Sequence, residues 1–225
     1  MEKPVDKIRQ VKFVRLYDIA KRCLILIDHV YEKINKTTEL LEKSNGSITD
    51  EYQTCELYLD IFNFIDFSHR FLQIIDSMPL LSKKRKEVRK LNSTTSSIKD
   101  CRNYLQHLRR ELSKEDLIDY PILGSLSWIS NNRNYMILPT QATETHSTVG
   151  ILYDIYNHIY VCKYQFSVGN HELRIDRIYE ELKEFWDWLE EGTQIDPIEI
   201  KEYKWGKPNI VYTYIGTSLN SITNK

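Results

Sequence analysis

No stretch of this sequence is apolar for long enough to cross a bilayer. The longest strongly apolar run, Cys23 to Ile27, is a fraction of the roughly 20 residues a spanning helix needs. The first residues, Met-Glu-Lys-Pro-Val-Asp-Lys, are charged and lack the apolar core of a signal peptide. A soluble, cytoplasmic protein is the expectation, with no membrane partner. Net charge is lacking too, since 31 Lys and Arg stand against 32 Asp and Glu. Any affinity for nucleic acid must therefore come from a local patch. Cysteine is sparse: Cys23, Cys55, Cys101 and Cys162 are far apart, without a Cys-x-x-Cys pair. Three of them fall at apolar-face positions, which predicts reduced core side chains. There is no glycine-rich phosphate loop, no Gly-x-Ser-x-Gly and no dinucleotide fingerprint, so those enzyme classes find no support. His171-Glu172-Leu-Arg-Ile lacks the second histidine of a zinc-protease motif, and Glu144 and His146 have no second ligand pair nearby. No metal and no cofactor are expected, and no internal repeat stands out.

What is present is an ordinary globular composition, 41% hydrophobic and 28% charged over 225 residues, enough to bury a sizeable core. Residues 4 to 44 read as one long helix, with Ile19, Cys23, Leu26, Val30, Ile34 and Leu41 at helical spacing. Ser44-Asn45-Gly46-Ser47 is a stop-and-turn signal, and Thr49 or Asp50 can cap the next helix. That helix covers about 50 to 78, with Cys55, Leu59, Phe62, Ile65, Leu72 and Ile75 on one face, and ends before Pro79. The pair predicts a long helical hairpin. His69 sits among the apolar positions of this second face, which favours a hydrogen-bonded core histidine over a catalytic one. His29 follows an apolar run, and both a core position and one facing a neighbouring helix are open to it.

The run Ser-Lys-Lys-Arg-Lys-Glu-Val-Arg-Lys-Leu at 82–91 has two readings. Clustered cations, Lys84 and Arg85 among them, suit an RNA backbone, and such runs also form solvated, partly helical connectors. Residues 92–97 are polar and turn-like, supplying an N-cap to the next helix. After residue 118 the pattern changes to short segments rich in Tyr, Ile, Val and Thr. Ile122 to Ile129 and Tyr135 to Leu138 predict one hairpin, across Asn131 to Asn134. Val149 to Tyr153 and His158 to Val168 predict another, across Asp154 to Asn157. Asn170 then caps a helix to Glu191 whose stripe is Ile175, Ile178, Leu182, Phe185, Trp186 and Leu189, with Trp188 open to stacking on a base. A further strand is expected at Asn209 to Ile215.

The organising stretch is the segment Ser96 to Lys114, read as one helix. Ile98, Cys101, Leu105, Leu108 and Leu112 form its apolar seam. Asn103, Gln106, His107, Arg110 and Lys114 fall on the opposite face, with Arg102 on the flank. Arg102 and His107 are about 7.5 Å apart along the axis and about 140° apart around it. One copy does not easily close both on a single small group, whereas two copies about a two-fold axis can.

Arg102-Asn103-x-x-x-His107 resembles the R-polar-x3-H signature of HEPN domains, helical proteins of which many are metal-independent ribonucleases acting as dimers. The resemblance covers the motif helix and, loosely, the helices before it. A looser Arg-to-His spacing carries no weight, because Arg22 to His29 meets it too. The stricter form has a chance expectation of about 0.05 in a chain of this composition, and only Arg102 to His107 satisfies it. The resemblance implies a mainly α fold, a HEPN-like helical bundle with its long N-terminal hairpin in residues 1–118. Residues 119–225 would add a small antiparallel β elaboration, a helix and a tail packed on the bundle. It also implies an endoribonuclease in which the ribose 2′-hydroxyl attacks the adjacent phosphorus, leaving 2′,3′-cyclic phosphate and 5′-hydroxyl ends. His107 would move protons, since histidine is the residue type that titrates near neutrality. Arg102 would hold the phosphoryl oxygens through its fixed charge and paired donors, and Asn103 would orient the phosphate. Arg110 and Lys114 would grip neighbouring phosphates. RNA, a second copy of the chain and an antitoxin or regulatory protein are the implied partners, in a toxin or antiviral-defence setting. A non-catalytic nucleotide-, RNA- or protein-binding module is the alternative.

Overall fold

The computed structural model describes residues 4–44, 51–111, 113, 122–138, 151 and 153–192. The described elements belong to one compact unit, Met1–Thr193. The strand expected at Asn209 to Ile215 and the turn and caps at 45–50 lie outside the described residues. The architecture is mainly α with a small antiparallel sheet. Among the described residues, no helix is long and apolar enough to cross a membrane.

Helix α1 (Pro4–Lys43) packs along α2 (Glu51–Ser77) more extensively than any other two elements pack. The buried line of α1 is Ala20, Ile27 and Ile34, flanked by Leu24 on one side and Cys23 and Val30 on the other. Ile19 and Leu26, expected in that stripe, are instead 47% and 42% exposed at its edge. In α2 the correction is larger. Cys55 is exposed and Leu59 is 58% exposed, while Leu57, Tyr58, Ile61, Phe64, Ile65, Ser68, Phe71 and Ile75 are buried. Apolar residues wrap more than half of this helix, so periodicity alone offers several stripes. The choice is made by tertiary contact. The Tyr58 hydroxyl reaches the carbonyls of Gly124 and Ile137, at 3.1 and 2.9 Å. Its ring lies against Phe166 from the sheet.

The basic stretch leads into α3 (Lys86–Thr94), which extends helix through residues 92–94 where a turn was expected. Thr95 joins it to α4 (Ser96–Gln106), but its hydroxyl donates to the Leu91 carbonyl and makes no side-chain cap for α4.

Strands β1 (Ser125–Ser130), β2 (Arg133–Ile137), β5 (Tyr164–Val168) and β6 (His171–Arg174) form one antiparallel sheet in the order β2-β1-β5-β6. The first hairpin closes on Asn131-Asn132 alone, with φ of 47° and 59°. These are the left-handed conformations of a two-residue turn. Arg133 and Asn134 are thereby already paired, to Ser130 and Ile129. Of the second hairpin, residues 149, 150 and 152 lie outside the described residues; among the described ones, β3 (Tyr153–Asp154) and β4 (Ile159–Tyr160) pair as a separate ribbon, and the chain then joins β1 through β5. The buried carboxylate of Asp176 accepts the amides of Lys163 and Tyr164, both at 2.9 Å, fixing where β5 begins.

The expected helix start at Asn170 is also corrected. Gly169 (φ +55°) and Asn170 form a turn, residues 171–174 pair with β5, and α6 runs Ile175–Gly192. Alternation explains this, since Leu173 is buried between exposed Glu172 and Arg174. The stripe of α6 is buried as its spacing predicts. It docks on α1 through Tyr31–Tyr179 stacking (4.0 Å) and on α3 through Lys90, held between Glu181 and Glu184 at 2.7 and 2.6 Å. The apolar face of the sheet, Leu126, Trp128, Ile137, Phe166 and Leu173, is buried. Glu42 of α1 ties the end of the inner strand β1 by accepting from Trp128 Nε1 (2.9 Å) and Ser130 Oγ (2.6 Å).

Candidate functional site

Helix α4 is held on two sides, by α2 and by β6, and this sets the exposure of every motif residue. Its buried positions are Ile98, Cys101 and Tyr104. Leu105 and Leu108, expected in the seam, are only half-buried, and the side chain of Leu112 lies outside the described residues. Tyr104 takes the seam position because its ring fills the space over Gly169 and meets His171 edge-on at 6.2 Å. A Cβ on Gly169 would lie 2.5 Å from that ring.

The motif helix does not run unbroken to Lys114. It ends at Gln106, and His107 is the C-cap, with φ −105° and ψ 26°. The His107 amide donates to both the Asn103 (3.0 Å) and Tyr104 (3.2 Å) carbonyls, a tightened final turn. A short helix, α5 (Leu108–Glu111), follows, entered by a bond from the Arg110 amide to the His107 carbonyl at 2.8 Å. The side chain of His107 is thus exposed at a helix end, beside exposed Arg109 and Arg110. Lys114 lies outside the described residues.

Arg102 is not on an open flank. Its Nε donates to Asp66 Oδ1 of α2 at 3.0 Å, and the guanidinium is mostly covered, 22% exposed. Asp66 also accepts from Arg70 Nε at 2.6 Å. Burial pushes the Asp66 carboxyl upward, but the hydrogen bonds and charges of Arg70 and Arg102 outweigh it and hold the group below the usual carboxylate range. Asn103 is half-buried next to Arg102 and gives its carbonyl to His107.

Two members of this cluster escape sequence reasoning. Asp66 is 36 residues from Arg102 in the chain, and nothing local marks it as a partner. His69, one turn beyond Asp66, is half-buried, and its Nδ1 is buried without a hydrogen-bond partner among the described residues, where a hydrogen-bonded core histidine is expected. Burial first, and then the charge of Arg102, push its pKa below the ordinary histidine value. Their spacing on α2, Asp66, His69, Arg70, was the available signal, a polar run at i, i+3 and i+4 on a helix otherwise rich in apolar residues. His29 is exposed on α1, within electrostatic reach of Asp60 on α2.

The basic stretch is divided between internal and external use. Lys83 pairs with Asp76 at 2.5 Å, and the Arg85 guanidinium lies over the Trp188 ring at 5.6 Å. Arg85 and Trp188, expected as contacts for a phosphate and a base, are thus in contact with each other. Lys84 is exposed. Among the described residues, no group of His, Cys, Asp and Glu is arranged to hold a metal ion.

Chemically, the end of α4 presents one exposed imidazole, two neighbouring guanidinium groups and a third guanidinium oriented by a carboxylate. Comparison of the chain with protein-family models, with curated proteins and with solved structures gave no match.

Proposed function

We propose that this protein is a metal-independent endoribonuclease of HEPN type, acting as a homodimer through the end of α4. The observation that carries the reading is the exposed His107 at the helix terminus, on the same short helix as an Arg102 whose guanidinium is fixed by Asp66. The bond to Asp66 uses only the Nε of Arg102. The terminal nitrogens keep the forked donor geometry that suits two oxygens of one phosphate. His107 takes the proton from the ribose 2′-hydroxyl or delivers one to the departing 5′-oxygen. Those two roles fall to the two copies of His107 in the dimer. Arg102 meets the charge that accumulates on the phosphoryl oxygens, Asn103 orients them, and Arg110 with Lys114 extends the contact to flanking phosphates. Lys84 adds an exposed cation outside this cluster. RNA is the substrate, and a toxin or defence effector restrained by an antitoxin or regulatory protein is the setting the family resemblance suggests.

The product ends test the reaction. In EDTA, fragments are expected to carry 2′,3′-cyclic phosphate and 5′-hydroxyl termini. Fragments ending in 3′-hydroxyl would require a different nucleophile and would overturn the mechanism.

One observation favours the second reading, a non-catalytic nucleotide-, RNA- or protein-binding module. The Asp66 carboxylate partly neutralises Arg102. RNA retention without any cleavage, weakened by Arg102→Ala, is the result that reading predicts.

A further inference from the structure

At the opposite end of α4 lies a cleft of about 510 Å³, bounded by the α3–α4 junction, β6 and the start of α6. This is the size range of small-molecule sites. Ser93, Thr94 and Ser97 line one wall, and Glu172, Arg174 and Arg177 line the other. Arg174 is exposed and has no ion-pair partner among the described residues. Arg177 is held in place by its Nε bond to the Val161 carbonyl (3.2 Å) and by Glu180 on one terminal nitrogen (3.1 Å). Its other terminal nitrogen has no partner among the described residues and remains for a ligand.

A second observation comes from the sheet. Side chains directly opposite each other across strands share a face. Arg174 stands opposite Gln165, which stands opposite Ser127, and Glu172 stands opposite Ser167, which stands opposite Ser125. The two rungs form a polar face running inward from the cleft wall. Ser125, Ser127, Gln165 and Ser167 are each at least nine-tenths buried. The three serine hydroxyls and the Gln165 Nε2 have no hydrogen-bond partner among the described residues. Buried donors are normally satisfied, and four orphans on one contiguous face are unusual for a sheet with no polar task.

We propose that this cleft binds a small organic phosphate, a phosphate monoester carried on a hydroxylated body. Arg174 and Arg177 take the phosphate by charge-assisted hydrogen bonds. Glu172 accepts from ligand hydroxyls, and the hydroxyls of Ser93, Thr94 and Ser97 complete the set. The carboxylates of Glu172 and Glu180 disfavour a polyanion such as a nucleic-acid strand and leave room for one phosphate. The site is separate from the end of α4 that carries Arg102 and His107, and it stands or falls independently of the ribonuclease reading.

Calorimetric titration of the full chain with ribose 5-phosphate, inorganic phosphate and ribose tests it. Ribose 5-phosphate is expected to bind about tenfold or more tightly than either fragment. Arg174→Ala is expected to weaken it by about tenfold, the scale of a lost charge-assisted contact. Glu172→Gln is expected to narrow the preference over inorganic phosphate. Both positions are exposed, and an unchanged circular dichroism spectrum verifies folding. A nucleoside 5′-monophosphate titrated alongside separates the sources: equal affinity marks a sugar-phosphate site, and tighter binding marks a nucleotide site. Absence of binding, binding unchanged by Arg174→Ala, or preference for a single-stranded oligonucleotide would overturn the proposal.

Discussion

His69 shows what a single side chain does when a helix packs against a cation. Its pKa is lowered in the folded state by burial and by Arg102, so the unfolded chain takes up a proton first as pH falls. The folded state then binds fewer protons, and stability is full above the unfolded value near 6.5 and is lost as pH drops through the folded value. Thermal unfolding at pH 7.5 and 5.5 is expected to show a lower midpoint at the acid pH. His69→Gln is expected to shrink that difference, and an undiminished difference would move the effect to other groups. Asp66 titrates lower, so its pairing contributes stability that fades only as pH falls below the ordinary carboxylate range. Asp66→Ala leaves Arg102 half-buried without its anion, a loss on the order of 1 kcal/mol for a pair this exposed, measurable by urea unfolding. The motif itself was legible in the sequence because it is a short-range pattern. The partner of Arg102 was not, because a salt bridge across 36 residues leaves no local signature.

At the scale of elements, α4 is placed by a turn and the sheet by two polar ties. Gly169→Ala puts a Cβ into the Tyr104 ring at a left-handed backbone position. The two costs together predict a loss of about 2–4 kcal/mol, read from denaturant unfolding. A loss below 1 kcal/mol would mean that Tyr104 can move aside and that α4 is not fixed from this side. Tyr58→Phe removes the hydroxyl between the Gly124 and Ile137 carbonyls and is expected to cost about 1–3 kcal/mol, because buried acceptors lose their donor. The long helices were legible because 3.6-residue periodicity repeats over many turns. The buried face of α2 was not, since Cys55 and Leu59 are as apolar as the residues that are buried. Asn170 followed by His171-Glu172 imitates a helix start, yet pairing with β5 and burial of Leu173 outweigh that local preference. The end of α4 at His107 was equally hidden. No glycine or proline marks it, and it is at Tyr104 that α4 meets Gly169.

For the whole molecule, the proposed composite site requires a second copy. Within one chain, Arg102 faces Asp66 on α2 while His107 stands in the open at the helix end. A composite cleft therefore needs the partner's α4. Sedimentation is expected to give a dimer mass at micromolar concentration, and a monomer that still cleaves RNA would contradict the composite site. The mainly α composition with a small sheet was readable from the change of pattern after residue 118. The particular ties that join helices and sheet, such as Glu42 to Trp128 and Ser130, were not, because they link residues 86 and 88 positions apart in the chain.

The most direct measurement is cleavage of total cellular RNA in EDTA by the purified protein, with Arg102→Ala and His107→Ala beside it. Cleavage by the wild type and a loss of at least about a hundredfold in each variant are expected, with folding and dimer mass retained. Equal cleavage by all three proteins, or none by the wild type across several RNA classes, would contradict the proposed function.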